Sequence, residues 1–352
     1  DYQKKEEQTM IKTDTGRRKK EQYIENLSEG DTINDFFAVK IKNPPRPYKR
    51  GTWFNVVVTD KTGELNVKYW GGDNKERVKR LYDSFKVGDV IQVRQGNFEL
   101  YEDKPQVSIS EKAGGIRRCS HDEYDISDFL PSLEKERIKN LRDELKDYIK
   151  SVKNTELKKL LDSFFSDKKI EKEFLQSPSA ITHHHNYIAG NLEHTTGVLR
   201  LCDNICEMYD GIDRDLVITG AILHDIGKLK EYQTTAAIDK TDEGNFIGHI
   251  VMGDRWIREK INEIRENKEG FSKELENKIC HIILSHHGKY EYGSPRMPKT
   301  IEAMIVHSAD MMDSQVKNFI QKIKEGRKNS EEDWAYIWDS EAGQKRPMYL
   351  SE

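Results

Sequence analysis

Hydrophobic and polar residues alternate along the first third of the chain. From Asp35 onwards, apolar residues recur at every second position in three runs, 37–41, 54–59 and 65–69. A period of two is typical of strands with one buried face, so these runs predict three strands. The turn sequence Asp-Lys-Thr-Gly at 60–63 joins the second run to the third and predicts a hairpin.

The pattern after the hairpin predicts a helix and two more strands. The helix is expected over 74–85, and the strands over 89–94 and 106–110. Three strands, a helix and two strands in this order predict a small all-β OB barrel, which we place over 26–112. The side chains expected to fill it are Phe37, Val39, Ile41, Leu65, Val67, Tyr69, Ile91 and Val93.

The C-terminal half has helical spacing instead. Apolar residues recur three or four positions apart in six segments, which are 133–165, 198–208, 216–223, 250–264, 275–284 and 301–320. This spacing predicts an all-α helical bundle over 132–330. The remaining segments are polar or rich in turn residues. They predict a polar arm over 1–25, a linker over 113–131 and a C-terminal tail over 331–352.

Composition narrows the class of protein. The chain has 352 residues, which suits two compact domains. Charged residues make up 34%, and no apolar run approaches the roughly 20 residues that cross a bilayer. The first residues lack the apolar core of a secretory signal, and the four cysteines form no CxxC pair. These features predict a cytoplasmic protein with reduced thiols and no membrane association.

The net charge of −4 provides no global attraction to nucleic acid, so any phosphate binding must come from local clusters. The histidines form the most conspicuous cluster. Of eleven, only His121 lies outside 183–307. Within that range they fall at the ends or on the faces of separate predicted helices, as ligands of cofactor sites in helical bundles do. We interpret them, together with nearby aspartates, as a metal site.

The mixture of imidazole and carboxylate donors suits borderline divalent ions. A carboxylate can also bridge two ions, and Asp225 is the candidate for that role. A shared aspartate implies two divalent ions, which can hold a hydroxide between them at neutral pH and bind the oxygens of a phosphodiester. The chemistry expected is therefore metal-dependent hydrolysis of a phosphodiester.

A single histidine on a helix is usually a hydrogen-bonded or surface residue. That interpretation applies to His249 and His281 when each is taken alone, and we keep it for His281. The sequence Ala-Ile-Leu-His-Asp-Ile-Gly-Lys at 221–228 changes the interpretation of the others. There an apolar helix ends in His-Asp, followed by a glycine and a cation.

With His194 upstream and Asp310 downstream, this HDIGK string resembles the HD phosphohydrolase superfamily. Four strings together resemble the YhaM-type exoribonucleases more narrowly: HHNYIAGNLEHT at 184–195, LHDIGK at 223–228, GHIVMG at 248–253 and LSHHGKYEYGSP at 284–295. Ala189 and Asn191 depart from that pattern, where Gly and Leu are more usual, and no ligand is lost. Members of that family also carry an N-terminal OB domain.

The resemblance covers 31–323. It implies trimming of RNA, with single-stranded DNA as a further candidate, from the 3′ end. It also implies manganese as the metal, with iron, cobalt and magnesium as alternatives.

The resemblance implies roles for individual residues. The implied metal ligands are His194, His224, Asp225 and Asp310, with His249, His286 and His287 serving the second ion or the substrate phosphate. Lys228 would neutralise a phosphate oxygen beside the catalytic Asp225. Alternatively, Lys228 is a lysine that the helix dipole favours at a helix C-terminus. His184 and His185 are implied as substrate contacts.

If apolar residues fill the barrel, the residues that alternate with them share its outer face. On that face we expect Lys40, Lys42, Lys68, Trp70, Gln92 and Arg94. Basic side chains with an aromatic ring suit single-stranded nucleic acid, because bases stack on aromatic rings while phosphates attract cations. Alternatively, these are ordinary solvated strand residues.

The leading hypothesis is a 3′-to-5′ exoribonuclease. The barrel would hold single-stranded RNA, and a metal-bound hydroxide would release nucleoside 5′-monophosphates. One alternative is an HD-type cyclic-dinucleotide phosphodiesterase, although Gly-Tyr-Pro is missing after His249. A nucleotide phosphohydrolase is a second alternative. It is less favoured, because such sites often need only the four core metal ligands. An RNA-binding protein with an inactive site is a third, and the full ligand set argues against it. The sequence leaves the oligomeric state open, a homo-oligomer included.

Overall fold

The computed structural model describes residues 18–102, 104–130, 132–179, 187–234, 238–268, 270–330, 332–339 and 343–350. The chain forms two compact units. The first comprises 1–132 together with 234–239, and the second comprises 133–233 together with 240–352. Among the described residues, no helix is long and apolar enough to cross a membrane.

The first unit is an open sheet of eight strands with one helix. The strands are β1 (Thr32–Ile33), β2 (Phe36–Tyr48), β3 (Gly51–Asp60), β4 (Gly63–Trp70), β5 (Val90–Arg94), β6 (Gly96–Tyr101), β7 (Lys104–Ser110) and β8 (Gly115–Arg118), and α1 (Lys75–Asp83) lies between β4 and β5 in the chain. Their order across the sheet is β1-β6-β7-β4-β3-β2-β5-β8, with β4 and β7 parallel. The helix makes the unit less strictly all-β than predicted, and the sheet is open rather than a closed five-stranded barrel.

The core of this unit is formed by every second side chain along its strands. Along β3, half-buried and buried residues alternate without interruption, as expected where one face packs on a core. The residues predicted to fill the barrel are buried, with the exception of Ile41, which is 46% exposed.

A bulge at Lys40 explains this exception. Val39 pairs with Val58, and Ile41 pairs with Val57, so Lys40 is an extra residue in β2. One extra residue reverses the alternation of every residue that follows it. Ile41 therefore faces solvent.

The same reversal moves Lys42 away from the outer face predicted for it. Its ammonium group donates to the carbonyl oxygens of Tyr82, at 2.6 Å, and Phe85, at 2.5 Å. The ammonium also lies 3.9 Å from the centre of the Tyr82 ring. Lys42 therefore holds the segment at the end of α1.

The segment predicted as a linker is part of the first unit. Its residues Gly115–Arg118 form β8 and pair with β5. Further along, a small second core is formed by Cys119, Tyr124 and Phe129 with Phe36, Ala38 and Val90. Gln92, predicted on an outer face, is buried and accepts hydrogen bonds from Arg117. The segment therefore covers the face of β2 and β5 that is turned away from the main core.

Part of the predicted polar arm also packs on the sheet. Lys20 is 2% exposed, and its ammonium donates to the carbonyl oxygen of Phe36 at 2.6 Å. The carboxylates of Asp35 and Asp60 lie 3.9 and 3.5 Å from the same ammonium. Asp35 also accepts hydrogen bonds from the backbone of Glu21. Lys20 and the two aspartates therefore attach the segment before β1 to the first strands of the sheet.

The second unit is a helical bundle, as predicted. Its helices are α2 (Lys135–Ser151), α3 (Thr155–Phe165), α4 (Lys168–Gln176), α5 (Gly190–Met208), α6 (Arg214–Leu223), α7 (Lys228–Glu231), α8 (Asp242–Ile247), α9 (His249–Glu266), α10 (Lys273–Ser285) and α11 (Ile301–Asn329). Side-chain oxygens of Asn154, Asp213, Ser272 and Thr300 accept backbone hydrogen bonds where α3, α6, α10 and α11 begin. The residues of α6 from Leu216 to Leu223 are all buried, so this helix forms the centre of the bundle.

Two hairpins qualify the all-α prediction. The strands β9 (Tyr232–Thr234) and β10 (Ile238–Lys240) pair with each other. The segment predicted as a C-terminal tail forms β11 (Trp334–Asp339) and β12 (Gln344–Tyr349), which are antiparallel. The ends of the Leu350 and Ile337 side chains lie close to Gly326, 2.7 and 3.0 Å from where its side chain would begin, so this hairpin packs on α11.

The bulge predicts that two neighbouring lysines differ in their contribution to stability. Replacing Lys42→Met leaves two carbonyl groups without their donor and should lower the free energy of unfolding by about 1–2 kcal/mol. Lys40→Met is the matched control, since Lys40 pairs with the exposed Glu64 and should change stability by less than about 0.5 kcal/mol. Urea unfolding measures both variants. Equal losses would mean that the bulge does not determine the role of Lys42.

Candidate metal centre

The turn His224-Asp225 leaves the end of α6 inside the bundle. Both residues are almost fully buried, at 0% and 2% exposed. The glycine that follows permits this position, since a side chain at Gly227 would lie 2.0 Å from the carbonyl oxygen of His249 and 2.7 Å from the backbone nitrogen of Gly253. The start of α9 therefore packs directly on the backbone of the turn, which brings His249 beside Asp225.

Four histidines are oriented in the same way. In each, Nδ1 contacts an oxygen atom: His194 Nδ1 lies 2.8 Å from Asp313, His224 Nδ1 2.8 Å from the Ala221 carbonyl, His249 Nδ1 2.7 Å from Glu231 and His286 Nδ1 2.7 Å from the Ile283 carbonyl. These oxygens accept hydrogen bonds, so the proton of each neutral ring is assigned to Nδ1. In His224, His249 and His286 the Nε2 atom keeps a lone pair for a metal ion. In His194 it lies 3.1 Å from Asp310 Oδ1 and 3.2 Å from His224 Nε2, and it carries the second proton of a charged ring.

The four Nε2 atoms converge on the carboxylate of Asp225. Those of His224 and His194 lie 3.3 and 3.6 Å from its Oδ2. Those of His249 and His286 lie 3.5 and 3.6 Å from its Oδ1. Each oxygen of the carboxylate therefore faces a different pair of imidazoles, which is the arrangement that a bridging carboxylate requires.

Among the described residues, two groups of side chains have the geometry to hold an ion. One consists of His194, His224 and Asp225 and the other of His249, His286 and His287, and in each the ligand atoms lie within 4.8 Å of one another. Three buried acceptors, Asp225 Oδ1, His249 Nε2 and His286 Nε2, have no hydrogen-bond partner in the described part of the chain. Buried lone pairs without donors are rare in folded proteins. A metal cation bound between these acceptors would satisfy their lone pairs, so the side chains present fit a divalent ion.

Asp310 lies next to the first group, which consists of His194, His224 and Asp225. Its Oδ1 is 3.1 Å from Nε2 of His194. Asp313, one turn further along α11, contacts the other nitrogen of the same imidazole. Neither Asp313 nor Glu231, which holds His249, was predicted from the sequence. The spacing of three residues between Asp310 and Asp313 is a signal that places both on one helix face.

The pKa values fit a metal-binding role. Burial would raise the pKa of Asp225, but Lys228 and His224 hold it well below its usual range, so the carboxylate is ionised. Burial lowers the pKa of His249 and His286 and leaves both neutral at pH 7. For His194, burial also acts to lower the pKa, but hydrogen bonds to the two carboxylates of α11 raise it to about 9.

Lys228 lies inside the centre. Its ammonium group is 2.5 Å from Asp225 Oδ2 and 3.1 Å from the hydroxyl oxygen of Ser179. It is 9% exposed, so it is not the solvated helix-end lysine of the alternative interpretation. Ser179 is a further residue that the sequence did not indicate.

The other predicted histidines lie in different surroundings. The ring of His287 is 4.5 Å from that of His286 and 5.2 Å from that of His249, between ring centres. His184 and His185 lie outside the described residues. His281, interpreted as structural, accepts a hydrogen bond from the backbone nitrogen of Lys299 at 2.9 Å.

One departure from the family pattern coincides with an unusual backbone angle. Ala189, just before α5, has a φ of +69°, in the left-handed region that costs a residue with a side chain about 1–2 kcal/mol. Glycine, which such strings more often carry there, adopts this angle without that cost. The backbone of the turn that leads into α5 and His194 is therefore strained at Ala189.

The outer face of the sheet in the first unit contains an aromatic cluster. Trp70 stacks on Trp53 with ring centres 5.3 Å apart, and Tyr48 meets Trp70 edge-on at 5.1 Å. Lys68 lies two residues before Trp70, with its ammonium 4.8 Å from the centre of the Tyr101 ring. The hairpin register could have indicated Trp53, because pairing Asp60 with Gly63 places Trp53 opposite Trp70.

The remaining predicted nucleic-acid contacts do not join this cluster. Lys40 forms an ion pair with Glu64. Arg94 is exposed at the end of β5, and β3 and β2 separate that strand from β4. Lys42 faces inward because of the bulge. Of the six residues predicted on the outer face, Lys68 and Trp70 lie together, and Gln92 is buried.

Comparisons with known proteins match both units. Residues 191–314 match the family model of the HD domain, and residues 38–112 match that of the OB-fold nucleic acid binding domain. The 3′-5′ exoribonuclease YhaM of Listeria monocytogenes is 30% identical over 314 residues, which cover 88% of this chain and 94% of that protein. The Bacillus subtilis protein of the same name is 28% identical over 303 residues, covering 84% and 90%. A solved structure, the replication factor A related protein from Methanobacterium thermoautotrophicum, is 24% identical, with a TM-score of 0.25 and coverage of 29% and 94%.

The charge state of His194 predicts that metal binding weakens as the pH falls. With a pKa of about 9, its imidazole carries a proton at pH 7 that a metal ion must displace. We expect release of about one proton on binding, and a loss of affinity of about tenfold for each pH unit below that pKa. Calorimetry in buffers with different heats of ionisation measures the proton released.

His281→Ala is the control for this measurement, because His281 lies outside the cluster and burial lowers its pKa. It should leave the number of released protons unchanged. A binding heat that does not depend on the buffer would contradict the assignment of the proton to His194.

Proposed function

This chain belongs to the family of the 3′-5′ exoribonuclease YhaM, and we propose that it degrades single-stranded RNA from the 3′ end to nucleoside 5′-monophosphates. It is a hydrolase with an HD domain, which implies a divalent metal ion. The observation that carries the proposal is the carboxylate of Asp225, with one oxygen facing His194 and His224 and the other facing His249 and His286. This arrangement supports the proposal of two ions, one on each side of Asp225.

The proposed ligands are His194, His224, Asp225 and Asp310 for one ion, and His249, His286 and His287 with Asp225 for the other. Manganese, which the resemblance to this family implies, is the metal we propose, and the imidazole donors also suit iron or cobalt better than magnesium. When bound, such ions lower the pKa of a water molecule and stabilise charge on the oxygens of a phosphodiester.

The residues of the chain make the rest of the site suitable for this reaction. Asp225 is kept ionised, and His249 and His286 are kept neutral, so these three donors are in their binding forms at pH 7, whereas His194 must first lose a proton. Lys228 is the cation beside the carboxylate. A phosphate oxygen that entered the centre would compete with Asp225 for its ammonium and would be neutralised by it.

We propose that the OB unit holds the strand through its aromatic cluster. Trp70, Trp53 and Tyr48 present rings on neighbouring strands, and every base has a face that can stack on such rings. Lys68, two residues along β4, provides a cation for a phosphate. RNA is the proposed partner, and single-stranded DNA would bind the same rings, since stacking does not read the sugar.

The proposed function predicts a dependence on the end of the substrate. An enzyme that works from a free 3′ end should release mononucleotides from linear RNA with a 3′-hydroxyl and should leave circular RNA intact. A 3′-phosphate should slow it about tenfold or more, because a misplacement of about 1 Å can cost about a hundredfold. The products are separated and quantified with manganese present, and cyclic di-GMP is offered at equal concentration.

Two variants control this experiment. Asp225→Ala should abolish product formation because it removes the shared carboxylate, whereas Asp210→Ala, an exposed aspartate after α5, should retain full activity. Rapid hydrolysis of the circle or of cyclic di-GMP would reject the exonuclease proposal in favour of the cyclic-dinucleotide alternative.

The aromatic cluster predicts a dependence on the length of the substrate. Trp70→Ala should weaken binding of long strands by about 1–3 kcal/mol, the usual contribution of one stacked base, and Lys68→Ala should also reduce the salt dependence of binding. Cleavage of a dinucleotide should be unaffected. Trp334→Ala, a 58% exposed tryptophan outside the sheet, is the matched control. Equal losses on long and short substrates would indicate a structural role for Trp70.

A further inference from the structure

The segment between α10 and α11 carries two exposed tyrosines next to the metal centre. It begins directly after His286-His287, and its short helical turn is 290–292. A glycine lies on each side of that turn, Gly288 with φ +74° and Gly293 with φ +79°. A side chain at Gly288 would lie 2.1 Å from the ring of His307, so the turn is also packed against α11.

Hydrogen bonds fix the base of this segment. The backbone nitrogen of Arg296 donates to the carbonyl oxygen of Leu284 at 3.2 Å. The buried hydroxyl oxygen of Ser294 lies 3.1 Å from the Leu284 carbonyl and 2.7 Å from the Arg296 carbonyl. His287 Nδ1 donates to the carbonyl oxygen of Tyr292 at 2.8 Å. The turn is therefore tied both to the end of α10 and to an imidazole of the proposed second metal site.

The rings of this turn are left in solvent although its backbone is fixed. Tyr290 is 61% exposed, and Tyr292 is 49% exposed. An isolated exposed aromatic residue needs no explanation. Two on one fixed turn beside a candidate catalytic centre provide two rings on a preorganised backbone, and preorganisation lowers the entropic cost of binding a flat ligand.

The charge around the rings favours a polyanion. Lys289, Arg296 and Lys299 are exposed on this segment, against one exposed carboxylate, Glu291. The ammonium of Lys289 is 5.4 Å from the centre of the Tyr292 ring. Cations beside exposed rings suit a nucleotide, whose base can stack while its phosphate pairs with the cation.

We propose that Tyr290 and Tyr292 stack on the last two bases of the RNA strand and so hold the 3′ end at the metal centre. This inference rests on the proposed function and specifies which residues seat its substrate. The position follows from the link to His287, whose ring contacts those of His249 and His286. A base stacked on this turn brings its own phosphate close to that side of the cluster.

The test is a cycle that changes the tyrosines and the bases separately. The double variant Tyr290→Ala with Tyr292→Ala is compared with the unmodified protein on two RNA strands, one complete and one abasic at its last two positions. On the complete strand the variant should raise KM by about 10- to 100-fold, with kcat changed much less. On the abasic strand the two proteins should have the same KM, since no base remains to stack.

Two further variants separate stacking from a structural role. Tyr290→Phe with Tyr292→Phe keeps both rings and should restore KM to within about threefold, because stacking does not need the hydroxyl groups. Tyr209→Ala removes a tyrosine of similar exposure, 60%, at the end of α5 remote from His194, and should change nothing. The metal content of each purified variant, measured by mass spectrometry, should equal that of the unmodified protein.

An equal rise in KM on both strands, or no rise on either, overturns the inference. So does a loss of metal in the Phe variant, which would assign the tyrosines to the support of His287. Failure of the unmodified protein to release mononucleotides from the complete strand overturns the proposed function instead, so the two failures are distinguishable.

Discussion

A carboxylate removed from water must be stabilised by the groups around it, and the second unit is organised around one such group. Asp225 is 2% exposed, and its pKa is held low by its neighbours. Lys228 satisfies one of its oxygens, while the other has no donor in the described part of the chain. A buried charge that is partly satisfied is costly. The cost is understandable if the second oxygen is kept for a cation.

The orientation of the imidazoles depends on where each lies in its helix. His224 and His286 follow the last residues of α6 and α10, and each donates to a carbonyl three residues earlier. The last carbonyls of a helix lack partners within it, so they are available to orient a side chain. His249 is the first residue of α9 and His194 is the fifth of α5, where carbonyls already accept backbone hydrogen bonds within the helix. There the carboxylates of Asp313 and Glu231, from other helices, orient the rings.

This difference explains what the sequence could predict. The ligands themselves are indicated by their residue types, by the helix that ends in His-Asp and by the resemblance of four strings to a known family. Asp313 and Glu231 act on ligands of other helices, so their roles appear when the helices are packed. Asp313 alone had a local signal, its spacing from Asp310.

In the sheet the errors have a different origin. Alternation predicts a regular strand, and a single extra residue at Lys40 reversed it, so Ile41 and Lys42 were placed on the wrong faces. The segment over 113–131 was predicted to be a linker because it is polar and rich in turn residues, yet its Cys119, Tyr124 and Phe129 are buried and follow no period. A residue that covers a sheet from a loop needs no periodicity. Trp53, in contrast, was within reach of the sequence, because the hairpin turn fixes its partner.

The signs of the charges at the centre connect its structure with its proposed substrate. Asp225, Asp310, Asp313 and Glu231 bring four carboxylates to or directly behind the imidazoles, and Lys228 is the ammonium that lies among them. Even with His194 protonated and Lys240 paired with Glu231, the four carboxylates outnumber these three cations, and the cluster would repel a phosphodiester in a buried setting where charges are poorly screened. Two divalent ions would reverse that sign. In the proposed function, the same carboxylates that attract the ions would make the entry of an RNA phosphate depend on them, while the rings of Trp70 and of the 290–292 turn would bind bases independently of this charge.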